Sequence, residues 1–588
     1  MKIQGNTTEA SNLYGKAIDV LESQLSQLGG GSEARSIFRV LNANYYRDYV
    51  ALLIEQGNPN LALDVLERSR ARTLLELLDA AHADIRKGVD SALLAQQQSL
   101  RTDINAKRGR RTSLVEEKHS DAPLKTVDQE ILDLVKQYEN VESKIRTSSP
   151  EYAALTQPQP LTSQKIRTDL LDRDTVLLEY SLGEERSYVF VVTPEATMTF
   201  PLLRNAEIQD AALHLYKLLS VHPNAVPGSN QAGQKAATGQ QKEIQRASAK
   251  LSAMVLGPIA AQLTAKRIVV VADGALQYIP FAMLPEPGSV GGPAHPRVPL
   301  IVNHEVVNLP SASVLAVLRK QGSTRHRPGK TVAILADPVF SKEDPRVSSK
   351  PATRGPLAQD ARKDEAHEAV QTNNLSVDLL TRSAGDLGLS RAGNLHLSRL
   401  LYTRQEAAGI RAASPGSRSM AALDFNASRS MVVSPQLSRY SIVHFATHGL
   451  INSEHPELSG LVFSLVDQNG KQQDGFLQLK DIYNLNLPAD LVVLSACETG
   501  LGKEISGEGL IGLTRGFMYA GASRVIASLW NVSDVATAQL MATFYRAMEK
   551  EGLPPAAALR SAQIAMWRQH RWNSPYFWAA FQIQGEWK

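Results

Sequence analysis

The 588-residue sequence predicts an α/β protein, a mostly parallel sheet flanked by helices, preceded by an all-α region of helical repeats and a helical hairpin. Three observations carry that expectation. Apolar residues recur at helical spacing through roughly the first 150 positions. Beyond about residue 170 they gather into short β-branched runs, and helical stretches separate those runs. Parallel strands buried on both faces read this way.

The composition narrows the class. Hydrophobic residues make up 43% and charged residues 21%, and 63 basic against 59 acidic side chains leave a net charge of +4. That balance gives no footprint for nucleic acid or for a membrane surface, so neither partner is expected. The start, "MKIQGNTTEASNLYGK", has no apolar run behind a basic head, and no segment approaches the roughly 18 apolar residues of a bilayer span. A cytoplasmic, bacterial-type protein is the expectation. The single cysteine excludes an internal disulfide and a thiolate zinc site, and no metal or other cofactor is expected.

Residues 1–85 read as tetratricopeptide-like helical repeats. In "NYYRDYVALLIEQGNPNLALDVLERSRARTLLELLDA", two apolar-periodic runs flank a Gly-Asn-Pro-Asn turn. Tyr46, Val50 and Leu53 share a face of the first; Leu61, Ala62, Val65 and Leu66 share one of the second. The small Ala62 lets two antiparallel helices pack closely. An ordinary helical bundle is the other reading. "LYGKAIDVLESQLSQL" resembles the second helix of a preceding unit, as if the chain began inside an array.

Residues 86–160 read as a long helical hairpin or coiled-coil arm. Leu93, Leu94, Leu100 and Ile104, then Ile131, Leu132, Leu134 and Val135, fall at helical spacing. The basic cluster "KRGRRTSLVEEK" between them reads as a solvated face, because acidic residues follow at once.

From "DTVLLEYSLGEERSYVFVVTPEATMTFPL" onward the residues alternate as strands do. "RIVVVADGAL", "TVAILADPVF", "YSIVHFATHG", "DLVVLSACETG" and "RVIASLWNVS" then read as buried strands ending in loops. "NAVPGSNQAGQKAATGQQ" is expected to be a disordered surface loop. "SKEDPRVSSKPATRGPLAQDARKDEAHEAVQTNN" is long enough for a lid, a linker or a cleavable insert.

Two strand ends carry reactive side chains. "IVHFATHG" ends in His448-Gly449, and "LVVLSAC" ends in Cys497, 49 residues on. The interval leaves room for a crossover, with "GFLQLKDIYNL" as a helix, so the two strands can lie side by side with their carboxyl ends together. A thiol is only a few per cent ionised at neutral pH and needs a neighbouring imidazole to take its proton. The amides of Gly449 and Cys497 can face a developing oxyanion, and the small Ser495 leaves room for substrate.

"HFATHG", "LSACETG", "GEGLIGLTRGFMYAGASRVIASLWNVSD" and "SPYFWAAFQIQGEW" together resemble the CHAT family of caspase-like cysteine peptidases, often attached to tetratricopeptide repeats. The likeness is specific over about residues 420–588 and weaker from about 170. The roughly 50-residue His-to-Cys interval of caspases is met. The resemblance implies a caspase-like α/β fold with a non-catalytic half over 165–320 and a catalytic half over 325–588. It implies a dyad in which Cys497 attacks a peptide carbonyl and His448 protonates the leaving amine, with Gly449 and Cys497 amides as the oxyanion hole.

Neighbouring residues have plainer readings. His444 is expected in the core or behind the site, and His455 in a loop. "GEGLIG" does not follow its strand directly, so it is not a dinucleotide turn. Asp534 caps a helix or, as the resemblance to separases implies, recognises a basic residue before the scissile bond. Trp530 forms a pocket wall or packs in the core. The leading expectation is a cysteine endopeptidase that cleaves a protein substrate, regulated or targeted by a protein bound through its helical repeats. A catalytically silent scaffold for protein association is the alternative. Self-cleavage within the 341–395 insert is a third.

Overall fold

A computed structural model describes residues 6–587 apart from 28–31, 71–89, 111–120, 149–159, 222–230, 290–296, 325–328, 348–389, 415–417, 451–458, 496–503, 506–508, 511–512 and a few single positions. Three helices open it: α1 (Thr7–Gln27), α2 (Ser32–Glu55) and α3 (Pro59–Ser69). Gly57 takes φ 75 in the turn between α2 and α3, a left-handed conformation that glycine adopts without strain. Pro59 starts α3, where its missing N–H costs nothing. Tyr46, Val50 and Leu53 bury against Ala62, Leu63, Val65 and Leu66, as a close antiparallel hairpin requires. Leu61 is 45% exposed, which moves it off the expected face, and Leu63 takes its place.

Helix α4 (Asp121–Ser148) follows. Its Val141 and Ile145 enclose a small apolar cluster with Leu100 of the helical stretch before it, and Lys107 bridges to Glu130 at 2.6 Å. Two helical stretches thus meet through an apolar face, to which Leu93 and Leu134 add partly buried side chains.

The α/β part is built on one eleven-stranded sheet. In chain order its strands are β1 (Thr175–Ser181), β2 (Ser187–Val192), β3 (Thr197–Leu202), β4 (Arg267–Val271), β5 (Glu305–Asn308), β6 (Lys330–Ala336), β7 (Ser419–Leu423) and β8 (Tyr440–Ala446). A small three-stranded sheet holds β9 (His448–Leu450), β10 (Gly460–Val462) and β11 (Phe476–Gln478). β12 (Leu491–Leu494), β13 (Arg524–Ser528) and β14 (Phe581–Gly585) complete the large sheet, whose order is β3-β2-β1-β4-β5-β14-β13-β12-β8-β6-β7.

Strands β13, β12, β8, β6 and β7 are mutually parallel, and β1, β4, β5 and β14 form a second parallel set. The two sets meet antiparallel at β13 and β14. The sheet is therefore continuous, and the last strand of the chain pairs with β5 of the first set. The central strands are buried along both faces, which is why they read as unbroken apolar runs.

Helices α5 (Asn205–Ser220), α6 (Gln231–Val255), α7 (Ala312–Thr324), α8 (Leu401–Ala413), α9 (Leu479–Tyr483), α10 (Leu513–Tyr519), α11 (Asp534–Glu551) and α12 (Pro555–Trp567) accompany the sheet. α6 corrects one expectation. Residues from Gln231 onward, assigned to a disordered loop, are helical. Ala, Gln and Lys are good helix formers, and Ile244, Ala247 and Leu251 give the helix a buried face that its polar start does not advertise. Among the described residues, no helix is long and apolar enough to cross a membrane.

Helix α3 is tied into this body by buried charge. Glu67 accepts from the amides of Ala312 and Ser313 at 2.9 and 2.8 Å, capping α7. Such a carboxylate satisfies orphan donors at a helix start and complements its dipole. Arg70 reaches the carboxyl ends of β1 and β4, donating to the carbonyls of Tyr180 and Ala272.

Candidate active site

β8 and β12 are parallel neighbours, with Phe445 paired to Leu494, an offset of 49 residues. The ladder runs one step further, because the Ser495 amide donates to the Phe445 carbonyl at 2.8 Å. Ser495 is buried there. The strand end that leads to His448 and the one that leads to Cys497 are therefore side by side on one edge. Cys497 itself lies outside the described residues, as does His455.

The strand ending in His448 differs from its expected form. β8 stops at Ala446, and His448-Gly449 opens β9, which pairs antiparallel with β10 (His448 to Val462, Gly449 to Leu461). Thr447 turns the chain between the two sheets, its hydroxyl donating to the Val462 carbonyl. "GFLQLKDIYNL" likewise divides into β11 and the short α9, because Phe476 and Leu477 are needed as a strand against β10. The imidazole is thus carried by a second layer of sheet at the tip of the first.

The His448 ring is half-buried, with Nε2 2.8 Å from the Ser398 carbonyl and its centroid 5.1 Å from that of Phe340. A carbonyl oxygen only accepts, so Nε2 carries the proton, and a neutral ring keeps its lone pair on Nδ1. Burial holds the ring's pKa below the ordinary histidine value, partly offset by the Ser398 carbonyl.

His444 sits inside β8 and is fully buried. Its Nδ1 is 3.0 Å from the Tyr545 hydroxyl and its Nε2 3.0 Å from Glu406 Oε1. All its polar capacity is spent between α8 and α11, as expected for a core histidine. Trp530 is also fully buried, its indole N–H donating to the Tyr576 carbonyl at 3.1 Å. Of the two readings for Trp530, its surroundings are those of the core. Asp534 starts α11, and burial, with the Glu406 charge adding, raises its carboxyl pKa. Ser533 occupies the N-cap position without a side-chain cap bond.

One element beside the histidine had no signal in the spacing. Asp337, directly after β6, is fully buried and meets Arg346, Arg399 and Arg404. Arg346 and Arg404 also hold Asp424, keeping its carboxyl below the ordinary range against the opposing effect of burial. The "ADP" after a buried strand marks a carboxylate at a sheet edge, while its arginines lie far along the chain. Among the described residues, no group of three or more His, Cys, Asp or Glu side chains is placed to hold a metal ion.

The family model of the CHAT domain matches residues 245–586, more than half of the chain. Two curated relatives are tetratricopeptide repeat protein 28 from human, 34% identical over 113 residues, and from mouse, 33% identical over 109 residues. These alignments cover 19% and 18% of this chain and only 4% of each relative. Among solved structures, a Saccharomyces cerevisiae separase–securin complex resembles the chain at TM-score 0.42 and 9% identity, over 74% of this chain and 31% of that one. A second structure of that complex gives TM-score 0.39 and 10% identity, over 77% of this chain and 33% of that one.

Proposed function

The chain belongs to the CHAT-domain family, and from that premise we propose that it is a cysteine endopeptidase using Cys497 and His448 to cleave a protein partner. The observation that carries the reading is the β8–β12 register. It sets the strand end that leads to His448 beside the one that leads to Cys497.

The Ser398 carbonyl keeps the proton of His448 on Nε2 and leaves the lone pair of Nδ1 as the ring's proton acceptor. In the first step the thiol proton passes to Nδ1 and Sγ attacks the peptide carbonyl carbon. The amides of Gly449 and Cys497 receive the oxyanion. His448 then gives the proton to the leaving amine, and a thioester remains. Water, deprotonated by the same ring, releases the acid and restores the thiol. The depressed pKa of the ring suits a base that must be neutral to accept a proton.

The helical region targets or regulates this site. α3 is anchored by Glu67 and Arg70, and α2 runs against Glu504–Ile505, in the segment that follows Cys497. A protein bound to the helices would therefore press on the chain that bears the nucleophile.

The single cysteine makes the test direct, because a peptidyl electrophile can label the protein at one thiol only. Wild type is expected to label and to cleave a candidate partner, whereas Cys497→Ala and His448→Ala do neither. Equal behaviour of all three would leave the catalytically silent scaffold as the function.

A further inference from the structure

We propose that Asp337 is a positioning residue for His448, acting through Arg399 and the carbonyl of Ser398; this rests on the dyad reading above. Among the described residues, only Asp337 (φ 50) and Asp424 (φ 55) take left-handed backbone without being glycine. Both lie in one ion cluster beside the imidazole. Non-glycine residues in that region are strained and persist where their surroundings over-determine them.

Asp337 is over-determined in that sense. Its amide donates to Thr403 Oγ1 at 3.1 Å, and its carbonyl accepts from Arg346 Nη1 at 2.7 Å. Arg399 grips the carboxylate as a fork, Nε to Oδ1 at 2.8 Å and Nη2 to Oδ2 at 2.7 Å. Arg404 Nε adds a bond to Oδ2 at 2.7 Å, and Arg346 Nη1 lies 3.1 Å from Oδ1. A bidentate guanidinium–carboxylate pair fixes a plane as well as a distance.

That plane matters because Arg399 directly follows Ser398, whose carbonyl accepts from His448 Nε2. Strand β6, which ends just before Asp337, pairs with β8, which leads to His448. A path thus runs from the tip of one strand, through a fork on a buried carboxylate, to the backbone oxygen that sets the ring's tautomer on the next. Phe340, in the loop after Asp337, packs against the ring with a centroid distance of 5.1 Å. The charged groups around this side of the ring are Arg346, Arg399 and Arg404 with Asp337, Asp344 and Asp424. β10, packed against β9, presents Gly460, Leu461 and Val462 and no charge.

The test reads the pH dependence of iodoacetamide alkylation, which in this chain reports Cys497 alone. The variants are wild type, His448→Ala, Arg399→Lys and Arg404→Gln, each checked for folding by its thermal midpoint. Arg399→Lys keeps the charge and loses the fork. It is expected to move the profile toward that of His448→Ala, with a loss of roughly tenfold in rate at pH 7, since an unassisted thiol is only a few per cent ionised there. Arg404→Gln touches the same carboxylate without bearing Ser398, and is expected to keep the wild-type profile. A wild-type profile for Arg399→Lys beside a shifted one for His448→Ala overturns the proposal and leaves the dyad standing. So does an equal shift for Arg404→Gln. A wild-type profile for His448→Ala removes the dyad and the proposal together. If Arg399→Lys does not fold, Asp337→Asn replaces it with the same expected shift.

Discussion

Arg70, at the C-terminal cap of α3, places its Nε 2.8 Å from Glu179 Oε1, a charge contact between two side chains buried in different parts of the fold. Its other nitrogens donate to the carbonyls of Tyr180 and Ala272, and Asp273 lies 3.9 Å away. The carboxyl ends of β1 and β4, where a parallel sheet ordinarily receives a ligand, are thus taken by the chain's own helical region. Replacing Arg70 with Met leaves the acidic groups without their cation. The expected cost is about 3–5 kcal/mol, read as a fall in unfolding midpoint. A variant as stable as wild type would show that the contact holds nothing together.

Glu179 makes that junction sensitive to pH. Burial raises its pKa well above the ordinary glutamate value, and the nearby Glu67 charge adds to the rise against the pull of Arg70. The folded state therefore holds the proton more tightly than the unfolded one. That preference favours folding fully below the ordinary glutamate pKa, and is lost as pH rises through the raised value. Glu179→Gln removes the dependence. Its stability relative to wild type is expected to improve between pH 4 and pH 8, measured by urea unfolding at each pH. A difference that stays flat with pH would contradict the assignment.

The proposed catalysis by Cys497 and His448 predicts a loss of at least about a thousandfold in peptide-bond cleavage for either alanine variant. The double variant should be no worse than the single ones, because the two groups act as a unit. Additive losses, read as single-turnover rates on the same cleaved partner, would argue against a shared proton.

His444 and His448 are separated by one turn of chain and should respond differently. His444→Leu strands the buried Glu406 carboxylate and the Tyr545 hydroxyl. The expected destabilisation is about 2–4 kcal/mol by thermal unfolding, with the alkylation profile of the thiol unchanged. A shifted profile with intact stability would exchange the roles of the two histidines.

Much of this was legible in the residues themselves. The runs "RIVVV", "LVVL" and "RVIAS" declare buried parallel strands, because a strand covered on both faces has no polar alternation to show. The Gly57 turn, with Ala62 after it, announces a tight helical hairpin. The runs "YSIVHFA" and "LVVL" are parallel neighbours, as the chain between them leaves room for a crossover. What failed locally failed for tertiary reasons. α6 begins in residues too polar to reveal a helix, and only its later turns find a core. "HFATHG" looked like one strand, yet the pairing of β9 with β10 breaks it after Ala446.

Sequence alone determined the periodicities, the strand runs and the single thiol, because these depend on side-chain chemistry and local spacing. Only the tertiary structure decided that Arg70 fills the strand ends of the first set, that β14 joins both sets into one sheet, and that Asp337 gathers Arg346, Arg399 and Arg404. Each of these joins residues far apart along the chain. Such contacts follow from which buried surfaces and charges can satisfy one another once the chain is packed, and no local pattern encodes that choice.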